Sequence, residues 1–372
     1  MKPTFKLFRV AGITIGVHYT WIFAVIFFSW TLAAVYFPAG YPGWSTAMYW
    51  ITGIGGALLI FVSVLLHEMA HSLVANARGI PVHSITLFIL GGASNLDDEP
   101  QKPASEFAMA IVGPVTSLIL GAIFYGLTYL PIDNTTPQFA IIGYLAIINI
   151  YLGIFNLLPG FPMDGGRVLR SLIWGATNNL SRATNIAAVV GQVFGWAFIA
   201  LGVFLMISVN FVDGLWIAFI GWFLNSSADA NRKEVALRER LSHVKVRELM
   251  RENVATIKPE TTVQDMVTNI FEKQHGRAVP VCHDGKLAGI ATITDVKKVP
   301  QVKWATTPVS KIMTSDPLYT VAPEDNLNKA MMLIARNDVN QVVISDQGKC
   351  GGLLSRGDII RLIQMHNELG IR

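Results

Sequence analysis

Three side chains stand out within the apolar stretch Leu58 to Gly79, LLIFVSVLLHEMAHSLVANARG: His67, Glu68 and His71. Ionisable groups inside an apolar spanning segment are costly, so they mark function. On a helix, residues four apart share a face one turn apart, so His67 and His71 can both reach one metal ion. Glu68 lies roughly 100° further round, where it can meet a metal-bound water rather than the metal. The chemistry implied is metal-assisted hydrolysis. A catalytic zinc takes three protein ligands and keeps a position for water, so one ligand must come from elsewhere in the chain. Asp164 is the best candidate: a Pro-interrupted helix end precedes it, and Gly165 and Gly166 follow, letting the backbone turn it inward. Asp97, Asp98 and Glu106 lie in more polar surroundings.

Each signal has a plainer reading. HExxH recurs by chance, and in a soluble protein an ordinary exposed helix accounts for it. In an apolar span that reading fails, because two histidines and a glutamate there need partners. Asp164 alone is equally a helix-cap or turn residue; its shared depth with HEMAH favours the ligand role. The extended metzincin pattern is excluded, since Val74 and Ala77 stand where Gly and His are required.

The elements that must position these groups follow from hydropathy. A length of 372 residues suggests two or three domains. The apolar fraction of 52% and mean hydropathy of +0.45 exceed those of an ordinary soluble protein. Residues 1–225 hold eight Lys/Arg and eight Asp/Glu, whereas residues 226–372 hold twenty-one and seventeen. The first part is membrane and the second a soluble appendage, which carries the net charge of +4. No basic cluster is interleaved with aromatics, so no nucleic-acid partner is expected. The two cysteines, Cys282 and Cys350, are expected as core-packing thiols in a reducing cytosolic compartment.

Spans are expected at about His18–Phe37, Ala47–Ala77, Ala104–Leu130, Phe139–Leu158 and Thr184–Val209, with a shorter sixth at Gly214–Leu224. A cleaved signal peptide is the weaker reading of the first, because its apolar run is long and further spans follow. Gly79 to Asn95 carries Gly, Pro and β-branched residues, the composition of an extended or re-entrant strand. Such a strand can offer an edge to an extended substrate. The third span has a small-residue face, Gly113, Ser117 and Gly121, suited to close helix packing. With the N-terminus cytoplasmic, Lys2, Lys6, Arg9, Arg78, Lys102, Arg167, Arg170 and Arg182 all fall inside, and the external loops hold no Lys or Arg. The expectation is a cell (plasma) membrane protein, multi-pass, with both termini cytoplasmic and HEMAH near the cytoplasmic end of its span.

Residues 226–243 form a charged, helical connector, and the remainder is an internal repeat. Val246, Leu249 and Met250 correspond to Val309, Ile312 and Met313; Pro259 to Pro323; and Gly285, Gly289 and Asp295 to Gly348, Gly352 and Asp358. Each unit is expected as strand, helix, strand, strand, helix, and two must stack to bury their faces.

HEMAHSLVANARGIPV, LFILGG, IVGPVTS and NLLPGFPMDGGRVLR together resemble the site-2 protease family of intramembrane zinc metalloproteases (peptidase M50) over about residues 10–225. The family pattern, HExxH in one span and N-x-x-P-x-x-x-x-D-G in a later one, is matched by His67, Glu68, His71, Asn156, Pro159, Asp164 and Gly165. The resemblance implies His67, His71 and Asp164 as ligands of one Zn2+ and Glu68 as general base. It implies Asn156 as a substrate-positioning or oxyanion-supporting group. The tail resembles a tandem pair of CBS domains, an arrangement found in one branch of that family. The resulting expectation is a polytopic α-helical membrane protein of about six spans with a C-terminal cytosolic α/β tandem CBS module. Its parts are 1–225 protease, 226–243 connector, 244–306 first CBS and 307–372 second CBS. The resemblance also implies ATP or AMP at Thr292, Asp295, Ser355 and Asp358, although hydroxyl and carboxylate at that spacing equally form a helix N-cap. The partners implied are the lipid bilayer, a membrane-spanning or membrane-associated protein substrate (an anti-sigma or pro-sigma factor by analogy) and a second copy through the CBS pair. A nucleotide-regulated transporter or channel would leave polar groups in several spans, and a dead scaffold would have lost part of the His-Glu-His-Asp set.

Overall fold

The computed structural model describes residues 4–89, 91–96, 100–250, 255–273, 277–346 and 349–369. The chain divides into two units, Met1–Lys233 and Glu234–Arg372.

In the first unit the apolar runs become long helices. α1 (Thr20–Thr31), a π-helical turn at Leu32–Tyr36 and α2 (Phe37–Gly40) run on as one spanning segment. α3 (Thr46–Ala77) begins where the Ser45 hydroxyl accepts the Met48 amide. It ends before Gly79, whose φ of +80° only glycine adopts readily. Then come α4 (Pro103–Leu127), α5 (Pro137–Asn156), α6 (Asp164–Thr177), α7 (Leu180–Ser208) and α8 (Phe211–His243). Among the described residues six segments are long and apolar enough to cross a membrane, the expected number.

Three details differ from the sequence expectation. The N-terminal residues form a hairpin, β1 (Phe5–Val10) with β2 (Ile13–Val17), which pairs in parallel with β3 (Val82–Phe88); β4 (Gly91–Leu96) completes the order β1-β2-β3-β4. Ile13, Ile15, Val82 and Ile85 point inward against Ala75 and Met109, so this sheet lies on α3 and α4. The second difference is α6, a separate amphipathic helix rather than the tail of the fourth span, because Pro159 and Pro162 break the chain after Asn156. Gly165 and Gly166 lie inside α6 and carry no positive φ. What they supply is close approach: a side chain at Gly165 would strike the Leu157 and Leu158 carbonyls. Third, the short sixth span and the connector are one continuous helix, α8, since no Gly or Pro occurs between Trp222 and His243.

The second unit holds the repeat. The first copy contains α10 (Val263–Met266), β5 (Ala278–His283), β6 (Lys286–Thr292) and α11 (Ile293–Val296), with α9 (Val246–Leu249) ahead of it. The second contains β7 (Thr320–Val321), α12 (Leu327–Arg336), β8 (Gln341–Asp346), β9 (Lys349–Ser355) and α13 (Arg356–Leu369). One sheet, ordered β5-β6-β9-β8-β7, joins them. The repeats also exchange residues: Val246 is buried in the core of the second copy and Val309 in that of the first. Gly348 lies outside the described residues. Cys282 is disulfide-bonded, not the free packed thiol expected from sequence.

Candidate active site

HEMAH occupies the last third of α3, with His67 4% and His71 8% exposed. α4 crosses α3 at this point and orients both rings. The His71 Nδ1–H donates to the Met109 carbonyl at 2.5 Å, and His67 Nδ1 shares a hydrogen bond of 2.9 Å with the Ser117 hydroxyl. With Nδ1 of His71 donating, its Nε2 presents a lone pair. Gly113 stands between these anchors, and a side chain there would strike Nε2 of both histidines.

Asp164 reaches the same point from the first turn of α6. Its Oδ2 lies 3.1 Å from His67 Nε2 and 3.2 Å from His71 Nε2, and the two nitrogens are 3.2 Å apart. A tetrahedral zinc with bonds of about 2.0–2.1 Å requires ligand–ligand edges of about 3.3 Å. The triangle therefore fits one ion bound by His67, His71 and Asp164. Lone pairs and a carboxylate converging this closely also demand a shared positive charge.

Glu68 faces the other way, toward β4. The Ser94 hydroxyl donates to Glu68 Oε2 at 3.0 Å and lies 3.1 Å from the Ser72 hydroxyl. Gly92 lets β4 pass against the Glu68 side chain, where any Cβ would collide. Glu68, His71, Gly92, Ser94, Asp164 and Arg167 help to line a cavity of about 270 Å³. β4 is the outer strand of its sheet, so among the described residues its far edge is unpaired.

The remaining candidates separate clearly. Glu106 is committed to Arg170: Nε donates to Oε1 at 2.6 Å and Nη2 pairs with the same oxygen. Asp97 and Asp98 lie outside the described residues. The Asn156 amide donates to the Leu152 carbonyl of its own helix at 2.9 Å, and Asn156 is not among the residues lining the cavity at Glu68. Spacing does not identify Ser94, Met109, Gly113 or Ser117 as site residues. Gly113 and Ser117 do signal a small-residue face, but what that face meets is the His67 and His71 rings as well as another helix.

In the second unit, Thr292 and Asp295 form a reciprocal cap on α11, with Thr292 Oγ1 donating to Asp295 Oδ2 at 2.7 Å. Ser355 and Asp358 repeat it at the start of α13, at 2.6 Å. Both pairs also border a single cleft of about 1020 Å³, together with Arg277 and Arg356. The structure thus assigns them the capping role and also brings them together.

A helical membrane bundle that aims an HExxH helix and a distant aspartate at one point defines a membrane metalloprotease. The chain matches Peptidase family M50 over residues 55–137 and 132–198, and the CBS domain over 246–301 and 309–365. It is 31% identical to Rip3 of Mycobacterium tuberculosis, covering 98% of this chain and 94% of that protein. It is 35% identical to sll0528 of Synechocystis, covering 88% and 87%. The names of both carry the words zinc metalloprotease. A solved site-2 protease from Methanocaldococcus jannaschii is 28% identical, covering 61% of this chain and 94% of that one, with a TM-score of 0.42. The chain belongs to peptidase family M50, the site-2 proteases, and carries a tandem CBS pair. It is a multi-pass membrane metalloprotease.

Proposed function

We propose that this chain is an intramembrane zinc endopeptidase that cuts a membrane-spanning or membrane-associated protein close to the cytosolic face of the cell membrane. The observation that carries the reading is the triangle of His67 Nε2, His71 Nε2 and Asp164 Oδ2, with edges of 3.1 to 3.2 Å. These three residues hold the metal. When bound, zinc supplies Lewis acidity, lowering the pKa of a water toward about 7 and polarising a carbonyl. Glu68, aimed by Ser94, accepts a proton from the attacking water and returns it to the departing amine nitrogen. A helical substrate must unwind first, since its carbonyls are engaged in the helix. The free edge of β4 beside Glu68 receives the unwound segment as an added strand. Asn156 supports the substrate from the end of α5 once its amide leaves the Leu152 carbonyl.

With both termini in the cytosol the external loops contain no Lys or Arg, which supports that orientation. The cleft bordered by Thr292, Asp295, Ser355 and Asp358 takes an adenine nucleotide, ATP or AMP, which modulates cleavage; its volume of about 1020 Å³ is ample for one. An anti-sigma or pro-sigma factor is the substrate suggested by family analogy.

Metal analysis and cleavage of a co-expressed substrate test the reading together. Glu68→Gln keeps about one zinc per chain and abolishes cleavage, whereas His67→Ala and Asp164→Asn lose the metal. Unchanged zinc in both ligand variants would remove the assignment. Calorimetric titration of the full chain with ATP and AMP tests the cleft, and Asp295→Ala with Asp358→Ala should abolish the heat.

A further inference from the structure

α6 carries two arginines one turn apart, and only one is accounted for. Arg170 is 9% exposed, paired with Glu106 and stacked on the Phe161 ring at 5.3 Å. Arg167 is half-buried, and among the described residues it makes no hydrogen bond, ion pair or ring contact. Arg167 nevertheless lines the cavity at Glu68 and Asp164. A sphere of that volume is only about 8 Å across, so whatever occupies the cavity lies within reach of the Arg167 side chain. A half-buried guanidinium with no partner among the described residues is costly and points to a partner that arrives from outside them.

Charge identifies that partner. Asp164 and Glu68 contribute two negative charges; a bound dication and Arg167 contribute three positive. With zinc in place the cavity carries one positive charge in excess, while a peptide substrate is neutral there. When Glu68 takes the water's proton its own negative charge is neutralised and an equal charge appears on the carbonyl oxygen attacked by water, so the excess is unchanged and the anion that Arg167 can meet forms only during reaction. We propose that Arg167 is a catalytic residue of this protease, donating hydrogen bonds to the scissile carbonyl oxygen as it becomes anionic. The proton balance is unchanged: Glu68 still moves the proton, and Arg167 stays protonated throughout. The Arg170–Glu106 pair clamps α6 to α4 and so holds Arg167 in place. This inference rests on the zinc-protease reading above.

The test uses the full chain in detergent and in liposomes. Arg167→Gln should lower kcat by about 10²–10³-fold, the cost of losing one oxyanion donor, with KM little changed. Arg167→Lys should retain part of the activity, and added guanidinium should restore part of the activity of Arg167→Ala. A phosphinic peptide, which is anionic where the peptide bond would be, should bind Arg167→Gln more weakly by a similar factor in an equilibrium binding assay. A neutral peptide of the same sequence should bind both proteins alike. Zinc content should stay at the wild-type level in every variant. The proposal is overturned if Arg167→Gln keeps wild-type kcat, or if it weakens both peptides equally. It is also overturned if the variant loses zinc or folding, which would make Arg167 a structural group. An effect confined to liposomes containing anionic lipid would place the guanidinium on a headgroup and overturn it likewise. Failure of the protease reading is distinguishable, because wild-type protein would then hold no zinc and cut nothing.

Discussion

Gly113→Ala tests whether the His-His-Asp triangle is a metal site or a hydrogen-bonded cluster. The added carbon would stand 2.7 Å from His67 Nε2, 2.5 Å from His71 Cε1 and closer still to His71 Nε2. Such contacts ordinarily begin near about 3.4 Å, so the rings or α4 must give by about 0.7 to 0.9 Å at the first two atoms and by more at His71 Nε2. The rings have little room to do so, because their Nδ1 atoms are held at 2.5 and 2.9 Å by Met109 and Ser117. Both anchors belong to α4, so moving that helix withdraws them together. Loss of one such outer anchor costs about 10–100-fold in metal affinity; straining two should cost about 100-fold or more. The same change removes a glycine from a helix interior, which favours the helix by about 1 kcal/mol. Against this stands an overpacking cost of about 1–3 kcal/mol, so the two effects differ in size: zinc affinity falls about 100-fold or more while the metal-free protein loses at most about 2 kcal/mol. Zinc per chain, measured against graded chelator, and thermal unfolding of metal-free protein in detergent read them separately. Wild-type zinc affinity in Gly113→Ala would refute the reasoning, since an ion among His67, His71 and Asp164 cannot share that space with a methyl group.

Glu106→Gln should lower stability by about 3–5 kcal/mol, because it leaves Arg170 buried without its counter-charge. Unfolding in detergent measures this, and replacing both partners by apolar residues should recover most of it. Ser355→Ala removes the hydroxyl that caps Asp358 N at the start of α13 and should cost the second unit about 1 kcal/mol in denaturant unfolding. The Glu324 carboxyl lies below its ordinary range, held there by a hydrogen bond from Lys245 with Arg247 beside it. A carboxyl depressed in the folded state stabilises above its unfolded pKa, and that contribution is lost as pH falls through the lower folded value. The difference in Tm between wild type and Glu324→Gln should therefore be present at pH 7 and vanish in acid; a gap that widened in acid would contradict this.

Sequence alone determined the parts of this protein that depend on neighbours in the chain or on transfer into lipid. Six spans follow from the length of apolar runs, and the common face of His67 and His71 follows from helical spacing. The pairing of HEMAH with Asp164 was legible because hydropathy sets depth, and two groups at one depth can meet. Repeat spacing exposed the tandem module. The tertiary structure decided everything that depends on which surfaces touch. β1 is exposed along its length and so lacks the alternation that announces a strand; its place in the sheet comes from β2 pairing with distant β3. Gly113 and Ser117 look like helix-packing residues until α4 is seen to lay them against the histidines. Arg167 and Arg170 are indistinguishable by type and differ only in whether Glu106, sixty-four positions away, is within reach. Cys282, expected as a free thiol, acquires its bond in the same way. Hydropathy and helical spacing act locally along one dimension, whereas the partner of a polar side chain is chosen by the packing of helices and sheet in three.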